Sequence, residues 1–175
     1  MHNAHLAMAR AALGELTLDR IVWIPTGAPG YRTPPVASAA DRVAMLELAL
    51  HGDPHSSIDQ RELSPDASGY TVDTLRALRR ELGSDAELYL LLGGDQYAAF
   101  AKWREPAEVA RLATLAVFSR PGFAVAADHK TRIVAMTPTS VSASDIRARA
   151  ARGASLAGLV PPAVANYIAR HNLYR

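Results

Sequence analysis

The sequence has 175 residues, of which 49% are hydrophobic and 21% charged, with a net charge of +2 and no cysteine. This length suits one domain with a sizeable core, and the absence of cysteine excludes a disulfide framework. No apolar run reaches the length of a membrane span, no signal-peptide pattern opens the chain, and the basic residues are scattered, which argues against membrane and nucleic-acid partners. We expect a cytoplasmic protein.

Two histidines open the chain at the start of a predicted helix over residues 3–16, for which Asn3 is a candidate cap. His2 and His5 are three residues apart, so a helix places both imidazoles on one face. The N-terminus of a helix favours an anion such as phosphate. An exposed, frayed terminus is the alternative, and a metal site is disfavoured because further ligands are lacking nearby.

Short apolar strands then alternate with amphipathic helices. Strands are predicted at 20–24, 56–63, 87–92, 114–118 and 132–136. Helices are predicted at 38–50, 71–82, 95–103, 106–112, 140–153 and 163–171, with Ser38 and Thr71 as caps of the first two. The alternation predicts an α/β fold with a doubly wound, Rossmann-like parallel sheet, helices on both faces and ligands at the carboxyl ends of the strands.

Three segments carry candidate ligand-binding groups. The loop 26–37, rich in proline and glycine, offers the ring and the cation of Tyr31-Arg32, with a solvated loop as the alternative. The predicted strand 87–92 is followed by Gly93-Gly94-Asp95 and then by a predicted helix. This order of strand, glycines, acid and helix is found in nucleotide-binding folds. The run 140–147, rich in hydroxyl groups, begins a helix.

Five segments of the chain, at 2–5, 69–75, 93–95, 120–122 and 142–147, resemble in their order the motifs of bacterial nicotinate-nucleotide adenylyltransferases. His2-Asn3-Ala4-His5 resembles the H-x-G-H motif of the wider nucleotidyltransferase superfamily, and Ser142-Ala143-Ser144-Asp145-Ile146-Arg147 resembles its S-x-T-x-x-R signature. The segments 69–75, 93–95 and 120–122, with Trp103, fall where this family has its substrate segments. The resemblance runs from His2 to residues 173–175 and separates this family from its pantetheine and cytidylyl relatives.

The sequence departs from the family pattern in two places. Ala4 stands at the usual glycine of the histidine motif and adds a methyl group where the backbone passes close to the nucleotide. The family also begins with an apolar strand and a G-G-T-F-D-P loop that this sequence lacks. We therefore expect a single nucleotidyltransferase domain over residues 1–175 that is incomplete at its N-terminus. Either the start codon is placed too late or the protein is a shortened paralogue. In both cases we expect folding or activity to be impaired.

The resemblance implies transfer of the adenylyl group of ATP to nicotinate mononucleotide, giving deamido-NAD and pyrophosphate without a covalent intermediate. It implies Mg²⁺ as the cofactor, and ATP-binding roles for His2, His5, Gly93, Gly94, Asp95, Ser142, Ser144 and Arg147. Among these, the residues implied to act in catalysis are His2, His5 and Arg147. Residues implied to bind the acceptor are Arg32, Tyr70, Thr71, Trp103 and Arg120.

Each of these roles has a plainer alternative. Trp103 is either the ring that stacks on the pyridine of the acceptor or an anchor in the core. Arg147 is either a phosphate ligand or a solvated helix charge, and Asp95 is either a ribose ligand or a helix cap. For the whole chain, a pantetheine-phosphate adenylyltransferase and a nucleotide-binding module without turnover are the alternative functions, and homo-oligomerisation is left open.

Overall fold

The computed structural model describes residues 1–27, 33–118, 130–137, 139 and 141–175. The described helices are α1 Asn3–Glu15, α2 Ala39–Leu50, α3 Thr71–Leu82, α4 Gly94–Ala98, α5 Pro106–Leu112, α6 Ala143–Ala151 and α7 Pro162–Arg170. The described strands are β1 Ile21–Trp23, β2 Ser56–Ile58, β3 Tyr89–Gly93, β4 Thr114–Phe118 and β5 Thr131–Val134. None of the helices in these segments is long and apolar enough to cross a bilayer.

The chain groups into two compact units. The first unit consists of Met1–Ala7, Asp19–Ala67 and Thr139–Arg175, and the second of Met8–Leu18 and Ser68–Pro138. Each unit has its own parallel sheet: β1 pairs with β2 in the first, and β3, β4 and β5 lie in that order in the second. The predicted α/β fold with parallel strands is confirmed.

The core of the second unit contains β4, which is paired on both sides. Its residues Leu115 to Phe118 are all buried, as expected for the central strand of a parallel sheet whose faces are covered. Val72 of α3 and Val109 of α5 lie in the same apolar cluster as Leu92 of β3. The carboxyl end of β3, where Gly93 lies, is therefore held by a well-packed core.

The core of the first unit is formed by helices. Met45 of α2, Ile146 of α6 and Val164 of α7 belong to one buried apolar cluster. Leu156 and Val160, in the segment between α6 and α7, complete it. This packing positions the start of α6, where the run of hydroxyl groups lies.

Serine side chains cap two of the helices. The Ser38 hydroxyl accepts a hydrogen bond from the backbone N–H of Asp41 at 3.1 Å, which confirms the predicted cap of α2. The Ser142 hydroxyl accepts from the N–H of Asp145 at 3.2 Å in the same way at α6. The boundaries of both helices therefore follow from local side-chain chemistry.

Two other predicted caps are wrong. Asn3 is the first residue of α1, and its side-chain amide donates to the Gly158 carbonyl at 2.8 Å instead of capping the helix. The residue before the helix is His2, whose carbonyl accepts the first intrahelical bond. Thr71 likewise lies inside α3, and Tyr70 precedes the helix without a side-chain cap. At Asn3 a tertiary partner replaces local capping, whereas α3 begins without a side-chain cap.

The predicted strand 56–63 is shorter in the structure. β2 ends at Ile58, and a 3₁₀ helix follows at Arg61–Leu63. The Asp59 carboxylate accepts from the backbone N–H of Arg61 at 2.9 Å and from its Nε at 2.7 Å. These bonds turn the chain, because an aspartate that accepts from the backbone two residues later favours a turn over a strand.

Candidate active site

The two histidines lie at the start of α1 with their rings stacked. The ring centroids are 3.8 Å apart and the ring planes differ by 16°. The His2 carbonyl accepts from the N–H groups of His5 at 3.0 Å and Leu6 at 3.4 Å. His2 is only 6% exposed, whereas His5 is exposed. Both imidazoles share one face, as their spacing predicts, and the burial of His2 argues against a frayed terminus.

Asn3 anchors the histidine corner, formed by His2 and His5 at the start of α1, to the segment that precedes α7. Its backbone N–H donates to the Leu159 carbonyl at 2.9 Å, and its side chain donates to the Gly158 carbonyl. Gly158 has φ +75°, a backbone conformation that side chains rarely adopt. Ala4 is only 2% exposed, so the methyl group at the usual glycine position is accommodated in the core.

The hydroxyl groups of Ser142 and Ser144 lie together at the N-terminus of α6. Their Oγ atoms are 3.1 Å apart. Arg147 is exposed and forms no ion pair with any residue in the described part of the chain. The neighbouring Arg149 differs, because its Nε lies 2.9 Å from the Asp145 carboxylate. Hydroxyl groups, a helix N-terminus and a guanidinium that forms no ion pair within the described segments are a combination that suits phosphate oxygens.

Tyr174, near the C-terminus, is a neighbour of Arg147 that no sequence pattern indicates. Burial raises the pKa of the Tyr174 phenol, and the nearby charges of Arg147 and Arg42 oppose that rise. The phenol is therefore neutral at physiological pH and does not neutralise Arg147. Tyr174 therefore adds no negative charge beside Arg147.

The glycine turn Gly93-Gly94-Asp95 belongs to the second unit, where β3 ends and α4 begins. A Cβ atom at Gly93 would lie 2.8 Å from Oδ1 of Asp95, and Gly94 is buried. Within the described residues, the exposed Asp95 carboxylate forms no hydrogen bond and caps no helix. A side chain at Gly93 would therefore require the exposed Asp95 carboxylate to move, and the turn leaves that carboxylate on the surface.

The start of α3 presents backbone donors. The Tyr70 carbonyl accepts from the N–H groups of Asp73 at 3.0 Å and Thr74 at 3.3 Å. The N–H groups of Thr71 and Val72 have no acceptor among the described residues. The first N–H groups of a helix attract an anion, and a carboxylate would satisfy them.

Trp103 follows the short 3₁₀ helix Phe100–Lys102 in the same unit. Its half-buried ring meets the Phe100 ring edge-on, with centroids 5.5 Å apart, and packs against the core of the second unit. The next residue, Arg104, places its guanidinium carbon 4.6 Å from the centroid of the Tyr70 ring. Trp103 thus anchors its turn in the core and keeps part of its ring exposed.

The segment after β1 is held from two sides. Arg42 donates from Nη1 to the Thr26 carbonyl at 2.6 Å. A Cβ atom at Gly27 would overlap the backbone carbonyl oxygen of Glu62. The chain therefore leaves β1 along a defined path.

Two predicted acceptor ligands, Arg32 and Arg120, lie outside the described residues, as do Tyr31 and the segment 121–122. Among the residues that are described, no group of three or more His, Asp or Glu side chains could hold a metal ion.

The sequence of this chain matches the family model described as cytidylyltransferase-like over residues 1–149. A protein of Bordetella petrii named "Probable nicotinate-nucleotide adenylyltransferase" is 46% identical, with 100% of this chain and 93% of that protein aligned. A protein of the same name from Laribacter hongkongensis is 44% identical, with 100% and 90% aligned. The chain belongs to the nicotinate-nucleotide adenylyltransferase family.

The fold of this family is also the fold of a solved parasite structure. The structure described as Plasmodium falciparum nicotinic acid mononucleotide adenylyltransferase complexed with NaAD superposes with a TM-score of 0.83 and covers 99% of this chain and 91% of its own. The two sequences are 16% identical, so the likeness establishes the common fold. Membership in the family confirms the resemblance read from the five motifs.

Proposed function

We propose that the protein transfers the adenylyl group of ATP to nicotinate mononucleotide, forming deamido-NAD and releasing pyrophosphate in NAD biosynthesis. The observation that carries this proposal is the stacked His2 and His5 pair at the N-terminus of α1, in a chain of this family. Two imidazoles at a helix N-terminus suit the phosphates of a nucleotide.

The reaction needs alignment and charge stabilisation more than it needs a base. The phosphate of nicotinate mononucleotide is ionised at neutral pH and attacks the α-phosphorus of ATP, and the bond to pyrophosphate breaks in line with that attack. We assign the exposed His5 to the α-phosphate oxygens, where charge develops in the transition state. The buried His2 binds ATP phosphate and, through the 3.8 Å ring stack, orients His5.

The leaving pyrophosphate is assigned to the start of α6. Ser142 and Ser144 donate hydroxyl hydrogen bonds and Arg147 contributes its charge to the β- and γ-phosphate oxygens. We propose Mg²⁺ as the cofactor, which would bind the phosphates of ATP and offset their remaining charge, since Mg²⁺ in such sites is held largely by substrate phosphates.

The adenosine is assigned to the glycine turn. Gly93 and Gly94 allow the nucleoside to approach the backbone closely, and the Asp95 carboxylate accepts from a ribose hydroxyl. The lack of a hydrogen-bond partner for this carboxylate in the described part of the chain supports the role.

The acceptor is assigned to the start of α3 and to Trp103. The N-terminal backbone groups at Tyr70 and Thr71 would bind the carboxylate that distinguishes nicotinate from nicotinamide, while the Trp103 ring stacks on the pyridine. Arg32 and Arg120 are proposed for the acceptor phosphate.

The experiment is a product assay with three acceptors. Purified protein is incubated with ATP, Mg²⁺ and either nicotinate mononucleotide, nicotinamide mononucleotide or phosphopantetheine, and the products are separated chromatographically. We expect deamido-NAD from the first acceptor and much less product from the other two. Product from phosphopantetheine alone, or binding of ATP without turnover, would contradict the proposal.

A paired substitution tests the histidine corner. His5→Ala is expected to lower kcat by roughly a hundredfold or more, because a donor to the transition-state charge is lost. The matched control is His51→Ala, which removes an exposed imidazole at the end of α2. Equal activity of the two variants would exclude His5 from catalysis.

A further inference from the structure

A network of ion pairs in the second unit joins α3 to the turn that carries Trp103. Arg76, on the second turn of α3, donates to both carboxylate oxygens of Glu105: Nη2 to Oε2 at 2.6 Å and Nη1 to Oε1 at 3.3 Å. The same guanidinium lies 3.3 Å from Asp73 and 3.7 Å from Glu108. The bond with Glu105 raises the pKa of Arg76 above its usual value, so the cation is held among three carboxylates.

Glu105 adopts a backbone conformation that its side chain disfavours. Its φ of 48° and ψ of 57° lie in the left-handed region, where residues other than glycine are uncommon. Its carbonyl accepts from the N–H groups of Glu108 and Val109, both at 3.0 Å, so this conformation also starts α5. In this conformation the Glu105 side chain makes its two-point bond with Arg76.

The turn formed by residues 103–105 lies against the start of α3. The Arg104 guanidinium covers the Tyr70 ring, and Tyr70 is the residue that precedes α3. Trp103 is the residue before Arg104, and its ring packs on Phe100. One strained residue, Glu105, therefore joins the two segments that were assigned to the acceptor.

The Arg76–Glu105 pair is too exposed for overall stability to be its main effect. The side chains of Arg76 and Glu105 are 34% and 43% exposed, and exposed ion pairs contribute little to the free energy of unfolding. What the pair controls is geometry, because a bidentate arginine bond fixes both the distance and the orientation of its partner.

We propose that Arg76 and Glu105 are positioning residues for acceptor recognition. By holding the 103–105 turn against the start of α3, they set the spacing between the Trp103 ring and the N–H groups of Thr71 and Val72. The pyridine ring and its carboxylate must reach both groups at once, so this spacing determines how well the acceptor binds. The inference rests on the proposed function, since it concerns the acceptor of that reaction.

The test is steady-state kinetics on the full chain with ATP and nicotinate mononucleotide each varied. Glu105→Gln and Arg76→Gln are each expected to raise the KM for nicotinate mononucleotide roughly threefold to tenfold, with the KM for ATP and kcat nearly unchanged. The double variant should have a KM for nicotinate mononucleotide no higher than that of the more impaired single variant, because both substitutions break the same ion pair. Arg76→Lys keeps the charge but loses the bidentate geometry, and should recover only part of the loss.

Arg149→Gln is the matched control. It breaks another exposed pair, in which the Arg149 Nε lies 2.9 Å from the Asp145 carboxylate, and that pair shares no residue with the Arg76 network or the 103–105 turn. Its KM values should equal those of the wild type. If the variants of Arg76 and Glu105 lower only the melting temperature and leave the acceptor KM unchanged, the positioning role is wrong while the proposed function stands.

Two further outcomes are decisive. A wild-type protein that forms no deamido-NAD overturns the proposed function and this inference with it. If Glu105→Gln fails to fold, as judged by circular dichroism, the KM for nicotinate mononucleotide of Arg76→Lys is the deciding measurement. This variant should fold, because it retains the positive charge among the three carboxylates. An unchanged acceptor KM in folded Arg76→Lys would overturn the inference.

Discussion

At the scale of single residues, Arg147 gives the sharpest test of the ATP site. Arg147→Ala is expected to reduce kcat/KM for ATP by roughly tenfold to a hundredfold, because a hydrogen bond to a charged group contributes about 1.5–3 kcal/mol. Acceptor binding should hardly change. The matched control is Arg149→Ala, which removes a guanidinium already paired with Asp145. Similar kinetic constants for ATP in the two variants would indicate that Arg147 is only a solvated charge on its helix and does not bind phosphate.

Trp103 tests the acceptor site by the same logic. Trp103→Ala should raise the KM for nicotinate mononucleotide and leave the KM for ATP nearly unchanged, because stacking on the pyridine involves the acceptor alone. Some loss of melting temperature is also expected, since the ring packs on Phe100. Trp103→Phe keeps an aromatic ring and should show a smaller change in KM. An equal loss for both substrates would indicate that Trp103 is only a core anchor.

At the scale of elements, the path of the chain after β1 depends on Gly27. Gly27→Ala should lower the free energy of unfolding by about 1–3 kcal/mol, because the added Cβ overlaps the Glu62 carbonyl oxygen and the backbone must move. Urea denaturation measures this change.

The control for Gly27 is a glycine in open space. Gly14 lies in α1 with no atom within 4 Å of an added Cβ, so Gly14→Ala should stabilise the helix by up to about 1 kcal/mol. If both substitutions changed stability in the same direction, the close approach at Gly27 would not be the cause of its effect.

At the scale of the whole molecule, carboxylates with lowered pKa values predict how stability depends on pH. The Ser38 hydroxyl, and after it the Tyr167 hydroxyl, lower the pKa of Asp41; the Ser68 hydroxyl lowers that of Asp73. Because the folded state prefers these groups ionised, their stabilising effect is present above the unfolded pKa of about 4 and is lost as the pH falls through the lower folded values.

Denaturant unfolding between pH 7 and pH 3 measures this dependence. The free energy of unfolding should change little from pH 7 to about pH 5 and fall steeply below about pH 4. Asp41→Asn should be less stable than the wild type at pH 7 and should lose less stability on acidification. Glu47→Gln, on the exposed side of α2, is the control. If Asp41→Asn and the wild type lost the same unfolding free energy on acidification, Asp41 would not be a source of the pH dependence.

The sequence by itself determined the α/β fold with parallel strands, the family and most helix positions. These features depend on hydrophobic periodicity and on short-range chemistry, such as the cap from Ser38 to Asp41 or the spacing of His2 and His5, which nearby residues encode. The roles of individual residues toward ATP and the acceptor, and the single domain, stay predictions.

The tertiary structure alone decided which residues support those segments. The anchor from Asn3 to Gly158 spans 155 positions, and the pair of Arg76 with Glu105 spans 29. Such partners cannot be read from a pattern, because any exposed arginine has several carboxylates along the chain that it could meet. The left-handed conformation of Glu105 was likewise not predicted: this conformation is disfavoured for glutamate, and in the folded chain it goes together with the carbonyl bonds that start α5 and with the bond to Arg76.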